Sequence, residues 1–121
     1  MKIDKFEDIL AWQKSKVLTL KVYTLLSNIK DFAFRDQICR ASVSIMNNIA
    51  EGFERKSDKE FKHFLFIAKG SCGELRTQLK IARMLNYMNE EEYIAINNKC
   101  ISVSKQLAGF ISYLKSHKNK F

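Results

Sequence analysis

Arg40-Ala41-Ser42-Val43-Ser44-Ile45-Met46-Asn47-Asn48-Ile49-Ala50-Glu51-Gly52-Phe53-Glu54-Arg55 reads as a helix that is apolar or small over most of its circumference. At about 100° per residue, Ile38, Ala41, Ile45 and Ile49 make one core face. Arg40, Ser44, Asn47, Asn48, Glu51 and Arg55 gather in a strip of about 100° beside that face. Everything from Ala41 round through Phe53, Met46, Ala50 and Val43 is apolar or small. A peripheral bundle helix needs an apolar arc of only somewhat over 100°. The surplus predicts that this helix is covered twice, once by its own bundle and once by another subunit. Within the strip, Glu51 and Arg55 stand four apart and can pair. Arg40, Asn48 and, from the following helix, Glu74 extend them into a network that sets register at a helix or subunit boundary, a reading preferred over a ligand site.

A second stretch, Ile67 to Leu79, answers the first. Its centre is Gly70-Ser71-Cys72-Gly73, inside what reads as one helix. A helical glycine costs about 1 kcal/mol against alanine. Two together predict a neighbouring helix packed close against them, with a kink as the alternative.

Working outward, helix one is expected over about Phe6–Ile29, with Leu10, Val17, Leu20 and Leu25 as its apolar side and Leu18 and Leu26 beside them. Helix two covers about Phe34–Lys56, with Asp31 or Asp36 as its cap. Ser57 and Glu60 have capping-box spacing and start helix three, which runs to about Tyr87 on a stripe of Phe61, Phe64, Leu65, Ala68, Cys72, Leu75, Leu79 and Ala82. Asn89 and the three glutamates after it open helix four. Its seam is Tyr93, Ile96, Cys100, Val103, Leu107, Phe110 and Leu114, spaced alternately by three and four. The basic tail 116–121 is expected to fray. Proline is absent and glycine occurs four times, so little interrupts the helices. The expected fold is all-α, an antiparallel up-and-down four-helix bundle in a single domain over residues 1–121.

The formal net charge of +8 favours anionic partners, nucleic acid first among them, although the same charge also serves solubility. Lys62, Lys69, Arg76 and Arg83 recur every seven residues on helix three, with Lys80 on the same side. Such a ridge can track a phosphate backbone; a solvated helix face is the plainer alternative. Cys39, Cys72 and Cys100 lack any Cys-x-x-Cys spacing and fit reduced, buried thiols of a cytoplasmic protein. No apolar run approaches the roughly 20 residues that span a bilayer. Glu60 and His63 have the Glu-x-x-His spacing of di-iron bundles, but His117, the other histidine, has no glutamate three residues before it. Neither a base and orienter for Cys72 nor a phosphate loop is evident. No catalytic residue, metal or cofactor is therefore expected, and the chain is read as a non-enzyme.

The quoted motifs resemble a known family. Arg40 to Ile45, then Asn48-Ile49-Ala50-Glu51-Gly52-Phe53 and Arg55, are similar to the signature of the four-helix-bundle proteins encoded in 23S ribosomal RNA intervening sequences, also called S23 ribosomal proteins. Ile67-Ala68-Lys69-Gly70-Ser71 with Glu74-Leu75 resembles their second motif, and Ile9-Leu10-Ala11-Trp12-Gln13 their opening. The resemblance implies an antiparallel bundle assembling as a homo-oligomer, a five-membered ring. It also extends to the accessory variability determinant of diversity-generating retroelements, which binds nucleic acid and a reverse transcriptase. Met46 stands where many members have proline, and the Lys30–Asp36 link lacks their Phe-Pro and Gly-Leu pattern. The expected function is a ring-forming protein that binds RNA or DNA electrostatically. The alternative is an oligomeric scaffold for a protein partner such as a polymerase, without direct nucleic-acid binding.

Overall fold

The structure, a computed structural model, describes residues 3–116. Four helices follow a short 3-10 turn at Phe6–Asp8: α1 (Leu10–Leu25), α2 (Phe32–Phe53), α3 (Asp58–Met84) and α4 (Glu90–Ser116). Each helix packs on the one before and the one after, and α4 closes on α1, while the diagonal pairs α1/α3 and α2/α4 make no close approach. With short links between long neighbours, this is the up-and-down bundle that the periodicity predicts. The frayed tail expected beyond Ser116 lies outside the described residues.

The helix ends follow local chemistry. Ile9 is extended (φ −75°, ψ 124°) and buried, so α1 starts at Leu10 rather than Phe6. Asp31 caps α2, its side chain accepting from the Phe34 N–H at 3.3 Å. Ser57 caps α3 by accepting from the Glu60 N–H at 3.1 Å. Asn89 and Glu92 form a reciprocal capping box: the Glu92 N–H donates to Asn89 Oδ1 at 2.8 Å and the Asn89 N–H to Glu92 Oε1 at 2.9 Å. α3 ends at Met84, short of the expected Tyr87, because Asn86 adopts a left-handed conformation (φ 62°). The Tyr87 N–H then reaches back to the Ala82 carbonyl at 2.8 Å, closing a Schellman motif.

The core of α3 and α4 is close to expectation: Leu65, Ala68, Cys72, Leu75, Leu79 and Ala82 face Ile96, Cys100, Val103, Leu107, Ile111 and Leu114, all buried. Helix one departs. Leu10, Val17 and Leu20 point outward, and the buried face is Ala11, Ser15, Leu18, Thr19, Val22 and Leu26. Ser15 and Thr19 can be buried because each satisfies its own hydroxyl locally, Ser15 on the Trp12 carbonyl and Thr19 on the Ser15 carbonyl, both at 2.8 Å. Thr19 also lies 3.2 Å from the Ser42 carbonyl across the seam, and Ser42 bonds the Cys39 carbonyl at 2.7 Å. These small polar side chains let α1 and α2 pack closely.

Helix two packs on α1 and α3, which leave Val43, Met46, Ala50 and Phe53 of its apolar arc half-buried, and its outer face is held by Gln37, Arg40, Asn47, Glu51 and Glu54. Close approach falls at Gly52, where a Cβ would lie 2.7 Å from Phe64 Cβ. Around it, the rings of Phe53 and Phe61 meet at 5.9 Å and those of Phe61 and Phe110 at 5.3 Å. At Gly70 and Gly73 a Cβ would meet nothing within 4 Å, so no helix of this chain packs against them.

Candidate nucleic-acid interface

The polar strip of α2 is mostly occupied inside the protomer. The Asn48 amide donates to the Ser44 carbonyl at 2.8 Å and to the Ser44 hydroxyl at 3.1 Å, and that hydroxyl lies 3.0 Å from Ser71 Oγ on α3. Arg55 pairs with Glu51 at 2.7 Å and lies over the Phe64 ring, 4.7 Å from its centroid. That pair is solvent-exposed, so it contributes at most about 1 kcal/mol. Arg40 and Glu74 do not join: both are exposed, and among the described residues no ion pair links Glu74 to either arginine. Of these five residues, Asn48 and Arg55 touch α3 side chains directly or through Ser44, Glu51 pairs with Arg55 on the outer face of α2, and Arg40 and Glu74 are exposed.

The basic residues of α3 collect on the side that faces α4. Lys62 and Lys69 are half-buried, while Arg76 and Lys80 are exposed. Lys80 Nζ lies 5.7 Å from the Tyr93 ring centroid, on α4. Arg83 is already engaged, donating to Glu90 Oε1 at 2.9 Å and to Asn86 Oδ1 at 3.2 Å. Its charge is therefore offset locally, which weakens it as a phosphate contact relative to Arg76. Between the helices, Gly73, Arg76, Thr77, Lys80, Tyr93 and Asn97 line a groove of about 460 Å³. Two cations, a hydroxyl and an aromatic ring there offer phosphate contacts beside a surface on which a base can stack.

Cations on the other helices escaped the sequence reading. Lys115 reaches from α4 over the Phe66 ring of α3, 5.5 Å from its centroid. Tyr23, Arg35 and Arg40 share a groove of about 510 Å³ between α1 and α2. Lys14 and Lys99 face one another across α1 and α4, with Lys14 donating to Ser102 Oγ at 3.1 Å. None of these pairs belongs to one helical repeat, so only the packing reveals them.

The three cysteines are buried free thiols. The Cys100 thiol donates to the Cys72 carbonyl at 3.5 Å. Hydrogen bonding with Cys72, reinforced by burial, pushes the Cys100 thiol well above the ordinary range, and burial likewise raises Cys39. Both are held as neutral thiols rather than thiolate nucleophiles. Among the described residues no group of three or more His, Cys, Asp or Glu side chains is placed to hold a metal ion. His63 is exposed beside Phe64, and His117 lies outside the described residues. Among the described residues no helix is long and apolar enough to cross a membrane.

An all-α bundle of four antiparallel helices, with Arg76 and Lys80 in a groove between α3 and α4, is the class that fold and site define. Residues 7–109 match the family described as 23S rRNA-intervening sequence protein, and the chain belongs to that family. It is similar to a protein of unknown function from the S23 ribosomal protein family of Bacteroides thetaiotaomicron VPI-5482, solved by crystallography at 1.70 Å. The two share 29% identity with a TM-score of 0.79, over 84% of this chain and 98% of that one. No curated protein matches the chain.

Proposed function

We propose that this chain is a non-enzymatic, ring-forming bundle that binds RNA or DNA electrostatically along the α3/α4 groove. The observation that carries the reading is the convergence of Lys62, Lys69, Arg76 and Lys80 with Lys115 of α4 on one side of a chain of net charge +8. Nothing in this reading calls for a cofactor, a metal or a membrane, and the cytoplasm, where thiols stay reduced, suits its free cysteines.

The test is replacement of Lys62, Lys69, Arg76, Lys80 and Arg83 by glutamine, with affinity for a random single-stranded RNA and a DNA duplex followed against salt. Contacts to about four phosphates give a log–log salt slope of about −3 to −4, and the variant should lose it. Arg76→Gln alone should weaken binding more than Arg83→Gln, since Glu90 already offsets Arg83. Binding unchanged in the fivefold variant would remove the assignment. The exposed apolar residues on α1 and α3 favour the scaffold alternative, which gains if the purified protein retains a specific protein partner but no nucleic acid at physiological salt.

A further inference from the structure

The groove between α3 and α4 differs from the rest of the basic ridge in what accompanies its charge. Arg76 and Lys80 stand one turn apart on α3, both exposed, with the Thr77 hydroxyl beside them. Across from them α4 contributes no charge. Its two lining residues are Tyr93 and Asn97, one turn apart and half-buried. Ile81 and the Tyr93 ring form the apolar part of the lining. Among the described residues no carboxylate lines the groove, and Glu90, one turn before Tyr93, is held by Arg83 at 2.9 Å. At Gly73 a Cβ would meet nothing within 4 Å, so that end is open to the backbone.

A duplex keeps its bases stacked inside and offers such a groove only phosphates. For that ligand Arg76 and Lys80 suffice, and Tyr93 and Asn97 have no part. A single strand can turn a base outward, stack it on an aromatic ring and bond its edge to a side-chain amide. Both α4 residues are available for this. The Tyr93 ring has Lys80 Nζ 5.7 Å from its centroid, a weak contact at an exposed site. A base that displaces this ammonium frees it for the phosphate of the same nucleotide. Asn97 Oδ1 is buried with no hydrogen-bond partner. Turning that side chain into the groove breaks no bond of the oxygen and brings it to a donor on a base edge, an exchange that a buried unpaired acceptor favours. The groove holds about 460 Å³, inside the range of about 300–1,000 Å³ for small-ligand sites, which accommodates one nucleotide and not a duplex.

We infer that the groove is a pocket for one unpaired nucleotide of single-stranded RNA or DNA, its base stacked on Tyr93 with an edge on Asn97 and its phosphate held by Arg76 and Lys80. The assignment rests on the nucleic-acid reading of the same site and narrows it. Cations outside the groove supply affinity for any phosphate backbone, and the groove supplies preference for a strand whose bases are free. Because Tyr93 and Asn97 carry no charge, they change affinity without changing the number of counterions released.

Affinities for a mixed-sequence DNA strand, the RNA strand of the same sequence and the DNA duplex of the same length, each followed across a salt series, test this. The wild type should bind either strand more tightly than the duplex. Tyr93→Leu should weaken single-strand binding by about 5- to 150-fold, the range of one base–aromatic stack. Its duplex affinity and its log–log salt slope should stay as they were, which also reports that the variant is folded. Tyr93→Phe should keep the single-strand affinity. Gly73→Leu gives a second reading without touching the core, since its side chain enters the groove from a position where a Cβ meets nothing. Single-strand affinity should again fall while duplex affinity holds. A wild type without preference for the strand, a preference that survives both variants, or variants that weaken strand and duplex alike would overturn the pocket and leave electrostatic binding standing. A wild type that binds none of the three at low salt overturns both.

Discussion

Gly52 and the pair Gly70/Gly73 are glycines inside long helices, and they have opposite surroundings. Gly52 sits where α2 and α3 come closest: a Cβ there would be 2.7 Å from Phe64 Cβ and 3.3 Å from the Phe61 carbonyl oxygen. Gly70 and Gly73 lie on the outer side of α3, where a Cβ would meet nothing within 4 Å. The same departure from helix propensity therefore occurs in two opposite environments. One is a contact made within the chain, and the other is a surface open to solvent.

Breaking the inner contact should have the larger effect. Gly52→Ala forces apart a Cβ and a backbone carbonyl rather than the end of a flexible side chain. Overpacking of this kind costs about 1–3 kcal/mol, of which the gain in helix propensity recovers at most about 1 kcal/mol. The urea midpoint should fall accordingly, and a neutral or stabilising result would show that α2 and α3 separate easily. Gly70→Ala and Gly73→Ala should act in the opposite sense. Each should raise stability by up to about 1 kcal/mol, read from the urea midpoint. A loss at either position would mean that this face of α3 is used within the protomer after all.

The fold was legible because its evidence is local. Helix caps at Asp31, Ser57 and Asn89, the absence of proline and the seam of α4 each depend on a few neighbouring residues. The inward face of α1 was not legible, because Ser15 and Thr19 look like surface residues until their hydroxyls are seen bonded to the Trp12 and Ser15 carbonyls. Hydropathy then turned the helix and placed Leu10, Val17 and Leu20 in the core. On α2, the two neighbouring helices leave Val43, Met46, Ala50 and Phe53 half-buried, so the bundle covers that surplus only in part. Within the candidate site, the α3 ridge was readable as a repeat on one helix. Lys115 was not, since it reaches Phe66 from α4, and neither was the loss of Arg83 to Glu90, a contact across the turn between helices.

The far end of α3 offers the smallest effect and the cleanest sign, because its contact is exposed and titrates. Tyr87 donates from Oη to Asp31 Oδ2 at 2.8 Å, linking the α3/α4 turn to the cap of α2, and its ring packs on Phe34 with centroids 5.5 Å apart. The hydrogen bond to Asp31 raises the Tyr87 pKa above its ordinary value. Folding therefore favours the protonated phenol. The stability this contributes is fully present below pH about 10, the unfolded value, and is lost as pH rises through the higher folded one. Tyr87→Phe keeps the ring contact and removes the hydroxyl. Its urea midpoint should lie slightly below that of the wild type across neutral pH, and the gap should close as pH rises through the raised folded value. A gap that persists there would assign the difference to ring packing, and would leave the two glycine environments as the better measure of what holds α3 to its neighbours.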